Sequence, residues 1–366
     1  MKSKIFIVMI IAVLMLSLIV SSCTGASPTP APASEKPIEL KLAHHDPPPA
    51  SLNARGISNW VEKLEKAANG KIKITVYPAQ TLCKLPEEIN AVESGLADIV
   101  WLLVSGFPGR FPLIEVTTLP FLQAGDGMID NQPRNSGEIN SRILNELYQT
   151  IPEMQAQYAG LNAKVLFHHT TPAFHLMSMK KPVRSLDDLK GLKVRSIAGP
   201  NTEMWKKMGS VPLSMAMPAI YENAQKGVIE AAVADWGATM AFKFYELFEY
   251  VTNTPLTLAQ FVVLMNKDRW DSLSPDIQEA IMSVSTIADA ETVSDRMGMP
   301  REAAEAEISK AGSKMEVFNL APEEIAEWEK IGGQPIWDQW LADMEAKGLP
   351  GQKAFDETLR LIEKYK

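Results

Sequence analysis

From Ile38 to about Val251 the chain switches repeatedly between two hydrophobic periods. Short runs with apolar side chains at every second position predict strands, and Leu192-Lys193-Val194-Arg195 is one of them. Between such runs lie stretches with helical spacing, including the stripe Trp60, Leu64 and Ala67, which reads as a core-facing face. Strand and helix in alternation predict βαβ units with parallel strands. From Asp271 onward the pattern is almost wholly helical. Ser274-Pro275-Asp276 predicts a helix start, with the helix continuing through Ala- and Glu-rich residues to about Lys310. Met315–Phe318 reads as a short strand, and Ala321-Pro322-Glu323-Glu324 opens another helix carrying the core stripe Trp328 and Ile331. Gly332-Gly333 and Gly348-Leu349-Pro350-Gly351 punctuate the remainder. No repeat of solenoid length is present.

The most informative stretch runs from Lys180 to Ser196. Pro182 and Val183 read as an extended entry. Ser185 is placed to cap a turn over Leu186–Lys190, with Asp187 and Asp188 at its positive end. Gly191 stops the turn, and the strand that follows ends on Arg195, just before Gly199-Pro200-Asn201 and a new helical pattern. Ligands of open α/β sheets bind beyond the carboxyl ends of strands. An arginine there is placed to fork onto a carboxylate, although a strand-end arginine in a surface ion pair has the same sequence.

The segment Asp188-Leu189-Lys190-Gly191-Leu192-Lys193-Val194-Arg195 closely resembles a signature of the solute-binding subunits of tripartite ATP-independent periplasmic (TRAP) transporters. The resemblance continues in order through the chain. Leu40–Ala43 looks like that family's first strand, Asn59–Asn69 its first helix, and Gly70–Pro78 its second strand. Glu93–Ile99, Pro108–Leu113 with Leu119-Pro120-Phe121, Tyr221–Glu230 and Lys243–Glu246 match further elements, so most of Ile38 to about Tyr250 is covered. The resemblance implies an α/β, two-lobed periplasmic-binding-protein fold, type II-like, with hinge strands and a helical C-terminal tail. Crossings are expected near Thr170–Phe174 and Ala259–Val263. One lobe would comprise 38–171 with about 261–299, the other about 172–260 with 300–366.

The same resemblance implies that Arg195 pairs bidentately with the substrate carboxylate. Two positions depart from the common pattern. Where many members carry a second arginine this chain has His175, and the usual ligand-binding asparagine falls on Ala234, followed by Asp235 and Trp236. Trp101, Phe107, Met217 and Trp236 lie in segments that line the family's cleft, though core packing is the simpler reading for any one aromatic. An aromatic wall beside a single arginine suits an aryl acid, an aryl-2-oxo acid or a branched 2-oxo acid. Succinate, fumarate and sialic acid suit it less. The five histidines fall into His44-His45 and His168-His169-His175. His45 and His175 are candidates to donate to the ligand, and no metal site is assigned.

The N-terminus adds a destination. Lys2 and Lys4 precede an apolar run from Ile5 to Val20 broken only by Ser17, which reads as a signal peptide over residues 1–22. Val20-Ser21-Ser22-Cys23 resembles a lipobox, so Cys23 is expected to carry lipid and to anchor the protein in the cell envelope, on the periplasmic side. Cleavage without lipid is the alternative. Residues 23–37, rich in Pro, Ala, Ser and Thr, read as an extended tether.

The full chain has 36 basic and 44 acidic side chains, and loss of Lys2 and Lys4 leaves 34 against 44, a formal charge of −10. An acidic surface without a basic run argues against nucleic acid. Cys83 is left without a disulfide partner and reads as a small buried hydrophobe. The remaining ~340 residues suit two lobes.

Nothing points to catalysis or a cofactor: there is no Gly-x-Ser-x-Gly elbow, Gly-rich phosphate loop or His-Glu-x-x-His. Glu87 and Glu88 are adjacent on a predicted helix, point apart, and read as a solvated face. The leading expectation is a receptor that captures an organic acid and delivers it to TRAP membrane subunits. An exported enzyme using His175 and Asp235, and a ligand sensor for a signalling partner, stand as alternatives.

Overall fold

The computed structural model describes residues 36–46 and 54–366. Cys23, the apolar leader and nearly all of the tether lie outside the described residues. The punctuation around Ser185 acts as its residues allow. Ser185 caps a turn over Leu186–Leu189, and the Asp188 carboxylate accepts from the Ser185 backbone N–H and hydroxyl, each at 3.1 Å. Gly191 then adopts a φ of 71°, a left-handed value that glycine takes without strain, and the chain re-enters as a strand.

In chain order the strands are β1 (Ile38–Ala43), β2 (Ile72–Tyr77), β3 (Ile99–Leu103), the hairpin β4 (Gly127–Ile129) and β5 (Gln132–Arg134), β6 (Ala163–Thr170) and β7 (Phe174–Ser178). They continue with β8 (Lys193–Ser196), β9 (Val211–Ser214), β10 (Ala231–Ala234), β11 (Tyr250–Thr257), β12 (Gln260–Asn266) and β13 (Glu316–Phe318). Two large sheets result, ordered β2-β1-β3-β12-β6 and β13-β11-β7-β10-β8-β9. Each is the centre of one lobe.

Up to β12 the chain passes between the sheets twice by short connections, and it returns to the second sheet at β13. β6 belongs to the first sheet and β7 to the second, with only residues 171–173 between them. The return runs from β11 in the second sheet to β12 in the first. The crossings lie side by side: the Thr171 N–H donates to the Ala259 carbonyl at 2.9 Å, and the Ala259 N–H to the Thr171 hydroxyl at 3.1 Å. The first lies within the expected Thr170–Phe174. The return, residues 258–259, meets the expected Ala259–Val263 only at Ala259, and the rest of that range is already β12.

Three expectations change in detail. Neither sheet is purely parallel, because a strand entering from the other lobe runs against its neighbours: β12 is antiparallel to β3 and β6, and β7 to β10 and β11. The long helix expected up to Lys310 is three helices, Pro275–Ser283, Ile287–Met297 and Arg301–Lys310. Thr286 and Asp289 form a capping box that starts the second, and Gly298-Met299-Pro300 separates it from the third. Gly332-Gly333 does not end a helix. It lies in a π-turn (Glu329–Gly333), where a Cβ on Gly332 would come within 2.6 Å of the Met208 sulfur, so glycine serves close packing.

The C-terminal tail is shared between the lobes and does not stay with the second. The turn Glu329–Gly333 packs on the helix Pro200–Lys207, which precedes β9. The final helix, Gly351–Lys364, instead packs on Ser136–Thr150, whose other neighbours include β6. Tyr365 donates its hydroxyl to Glu146, and Lys364 pairs with the same carboxylate at 3.3 Å. Trp340 donates its indole N–H to the Pro112 carbonyl at 3.0 Å.

Candidate functional site

The carboxyl ends of β1, β3, β8, β9 and β10 converge on one cavity of about 270 Å³, closed on one side by the two crossings. β8 contributes Arg195, which is buried. Its Nε donates to the Met215 carbonyl and its Nη1 to the Val233 carbonyl, each at 3.0 Å. These bonds hold the guanidinium in place while consuming two of its five N–H donors. Burial lowers its pKa to about 10, so the group stays cationic at neutral pH. Among the described residues no carboxylate lies within ion-pair distance of it. A buried cation without a counter-ion is costly, and an anionic ligand would relieve that cost.

Asp235 follows β10 and caps the helix Trp236–Ala241, accepting from the Ala238 N–H at 2.9 Å. It is only 3% exposed, and burial raises its pKa to about 6 against the pull of those backbone N–H groups. The first lobe supplies His45 and Asp46 just beyond β1. His45 lies 3.4 Å from the Glu88 carboxylate through Nδ1 and 3.8 Å from Asp46 through Nε2. Burial lowers the His45 pKa, but the two carboxylates outweigh it and the net shift is upward. Burial likewise raises Glu88, partly offset by His45.

The apolar wall is built on Phe261, with Phe174, Leu103 and Met217 around it. The His45 ring lies parallel to Phe261 at 6.1 Å between centroids. Behind Phe261, Trp101 packs at 4.7 Å and His169 at 5.0 Å, and the Trp101 indole N–H donates to His169 Nε2 at 2.6 Å. A flat aromatic face is thereby held rigid from the rear.

The model of the bacterial extracellular solute-binding protein family 7 matches residues 43–343. The chain belongs to that family. Family 7 relatives include the C4-dicarboxylate-binding periplasmic protein DctP of Rhodobacter capsulatus, 25% identical over 327 residues, or 88% of this chain and 92% of that one. A solved TRAP solute-binding protein from an unidentified marine microbe, specific for aromatic acid ligands and bound to metahydroxyphenylacetate, is 29% identical with a TM-score of 0.79. That match covers 90% of this chain and 99% of the other. A TRAP solute-binding protein from Rhodoferax ferrireducens with copurified benzoate is 26% identical with a TM-score of 0.76, covering 89% and 98% of the two chains.

In this family 7 fold, Arg195, Asp235, His45 and Met217 are brought to one cavity, as named from the sequence. The other three candidates stand away from its wall. Trp101 is fully buried behind Phe261, where it braces the wall rather than forming it. Trp236 is 6% exposed and packs on His175, ring centroids 5.6 Å apart. His175 itself is held neutral, at a pKa of about 4, by burial and by the charge of Arg301, so it does not replace an arginine's charge.

Sequence reasoning missed Phe261, Asp46, Thr171 and Glu88. Glu88 was expected on a solvated face, and only Glu87 is there; Glu88 is fully buried behind His45. A strand pattern gives Phe261 no mark that separates a wall from a core.

The remaining histidines are packed into the first lobe. Burial holds His44, His168 and His169 at about 3, from an ordinary 6.5. Between about 6.5 and 3 the unfolded chain therefore binds more protons than the folded one, and stability is lost as pH falls through that window. His45 has the opposite sign: its contribution is present at low pH and fades as pH rises through its raised pKa. The raised carboxyls of Asp235 and Glu88 act in the same direction as His45. His44, His168, His169 and His175 are together shifted further down, so the thermal midpoint is expected to fall between pH 7 and 4. A flat profile would show that these imidazoles titrate normally in the fold.

Proposed function

We propose that this TRAP-type solute receptor captures a monocarboxylate with an aromatic body between its two lobes and hands it to TRAP membrane subunits for uptake. The observation that carries the reading is Arg195: a buried, pre-positioned cation with no protein counter-ion among the described residues, facing a cavity walled by Phe261 and Phe174. The carboxylate would sit on the guanidinium and the ring against Phe261. The two solved aromatic-acid complexes support the same chemistry at 26–29% identity. His175 and Asp235 share no hydrogen bond and His175 stands outside the cavity wall, so the acid–base pair of an exported enzyme finds no support. Ligand recovered unchanged, at one equivalent per chain, would be the matching result.

Asp46 and Asp235 line the cavity and Glu88 lies behind it, so a second carboxylate would enter a region already rich in buried acid. Benzoate or phenylacetate is expected to raise the melting temperature, since a ligand that binds only the folded state stabilises it by mass action. Succinate is expected to leave it unchanged. The reverse outcome would reject the aromatic body while leaving a carboxylate receptor.

Cys23 is proposed as the lipid anchor that retains the receptor at the periplasmic membrane surface, with residues 24–37 as tether. Cys23→Ala should abolish incorporation of labelled fatty acid and release the protein from the membrane fraction. Equal labelling of both forms would overturn the anchor.

A further inference from the structure

Asp235 makes a demand on the ligand that Arg195 does not. It lines the same cavity, is 3% exposed, and among the described residues has no cation within ion-pair distance. Its carboxylate caps the helix, with Oδ1 accepting from the Ala238 N–H. Backbone N–H groups at the start of that helix stabilise the charged form against the burial that raises its pKa. An ionised carboxylate only accepts hydrogen bonds, and each oxygen can take more than one. Asp235 thus keeps accepting capacity in a space that a ligand would dry out.

Its position relative to the anchor follows from the strand. Val233, whose carbonyl holds Nη1 of Arg195, is two residues before Asp235. At a rise of about 3.3 Å per residue the two Cα atoms are about 7 Å apart, the width of a benzene ring with one substituent. A carboxylate on Arg195 therefore brings the ligand's body past Asp235. An unsubstituted ring would cover the acceptor with carbon and leave it unsatisfied, which is the expensive outcome for a buried charged group. A hydroxyl on the ligand would donate to it instead. A second carboxylate would repel it.

We propose that Asp235 is a specificity-determining residue that selects aryl monocarboxylates carrying a hydroxyl donor over the same acids without one. The proposal rests on the reading that Arg195 receives the carboxylate. It adds a second recognition point of opposite sign, at the carboxyl end of the neighbouring parallel strand.

The test is calorimetry on the purified protein at pH 7.5 with three sets of ligands. Benzoate is compared with 3- and 4-hydroxybenzoate, phenylacetate with mandelate, and each preferred hydroxy acid with its methyl ether, which keeps the oxygen and loses the donor. At least one hydroxy acid should bind about 10-fold or more tightly than both its parent and its ether, the range expected for a hydrogen bond to a charged group. In Asp235→Asn, which keeps a good helix cap, that ratio should fall below about 3-fold. Should Asp235→Asn fail to fold, Asp235→Ser, also a good helix cap and without the charge, carries the same comparison.

Equal binding of parents and hydroxy acids, with Arg195→Ala weakening both, would overturn the role of Asp235 and leave the receptor reading standing. A hydroxyl preference undiminished in Asp235→Asn would overturn it too, placing the acceptor elsewhere. Failure of every aryl acid to bind would overturn both.

Discussion

Arg195→Ala is expected to weaken binding of an aryl monocarboxylate by roughly 30-fold or more, the consequence of losing about 2–5 kcal/mol when one partner of a buried charged pair is removed. The guanidinium is pinned by the Met215 and Val233 carbonyls, so little side-chain freedom is left to lose on binding. Arg195→Lys should recover only part of the affinity. An ammonium on a flexible stem cannot hold two carbonyls and also offer a planar fork to the ligand. Calorimetry on variants with unchanged circular dichroism is the check. Unaltered affinity in Arg195→Ala would remove the carboxylate from this end of the cavity.

Trp101→Ala is expected to act on a different quantity. The indole is fully buried against Phe261 and His169, and truncation of a core aromatic costs about 3–5 kcal/mol. His169 Nε2 would also lose its donor in a dry environment. The midpoint of urea denaturation should drop sharply, while ligand affinity falls less than in Arg195→Ala, because Phe261 stays in place but loses its backing. An unchanged midpoint, with affinity lost, would mean that Trp101 reaches the ligand after all.

The contrast between these two residues shows what a sequence can disclose. Arg195 was legible because its position is set by local chemistry: a cap at Ser185, a stop at Gly191 and a strand of four residues leave its place at a strand end little choice. Trp101 also lies on a short strand, β3, but which side of that strand meets the cavity depends on β12, which arrives from more than 150 residues later in the chain. Glu88 failed for the same reason. Its neighbour Glu87 is exposed, and no local rule separates the two; the end of β1 folding over the helix start makes one a solvated acid and the other a buried partner of His45. The fold class and the approximate crossings came from the family that the ordered motifs resemble, not from local pattern, and the mixed strand directions came from neither. Antiparallel entry is a property of two segments and never of one.

The paired crossings carry a mechanical consequence. A change in the angle between the sheets draws on backbone torsions in residues 171–173 and 258–259, the two shortest connections between strands of different sheets, together with the longer segment from β12 to β13 and the shared C-terminal helices. Thr171 and Ala259 are also cavity wall, and they are hydrogen-bonded to each other. Occupancy and lobe angle are therefore read by the same few peptide units. A ligand whose contacts differ between two angles shifts their populations through its own wall, with no relay of intervening side chains.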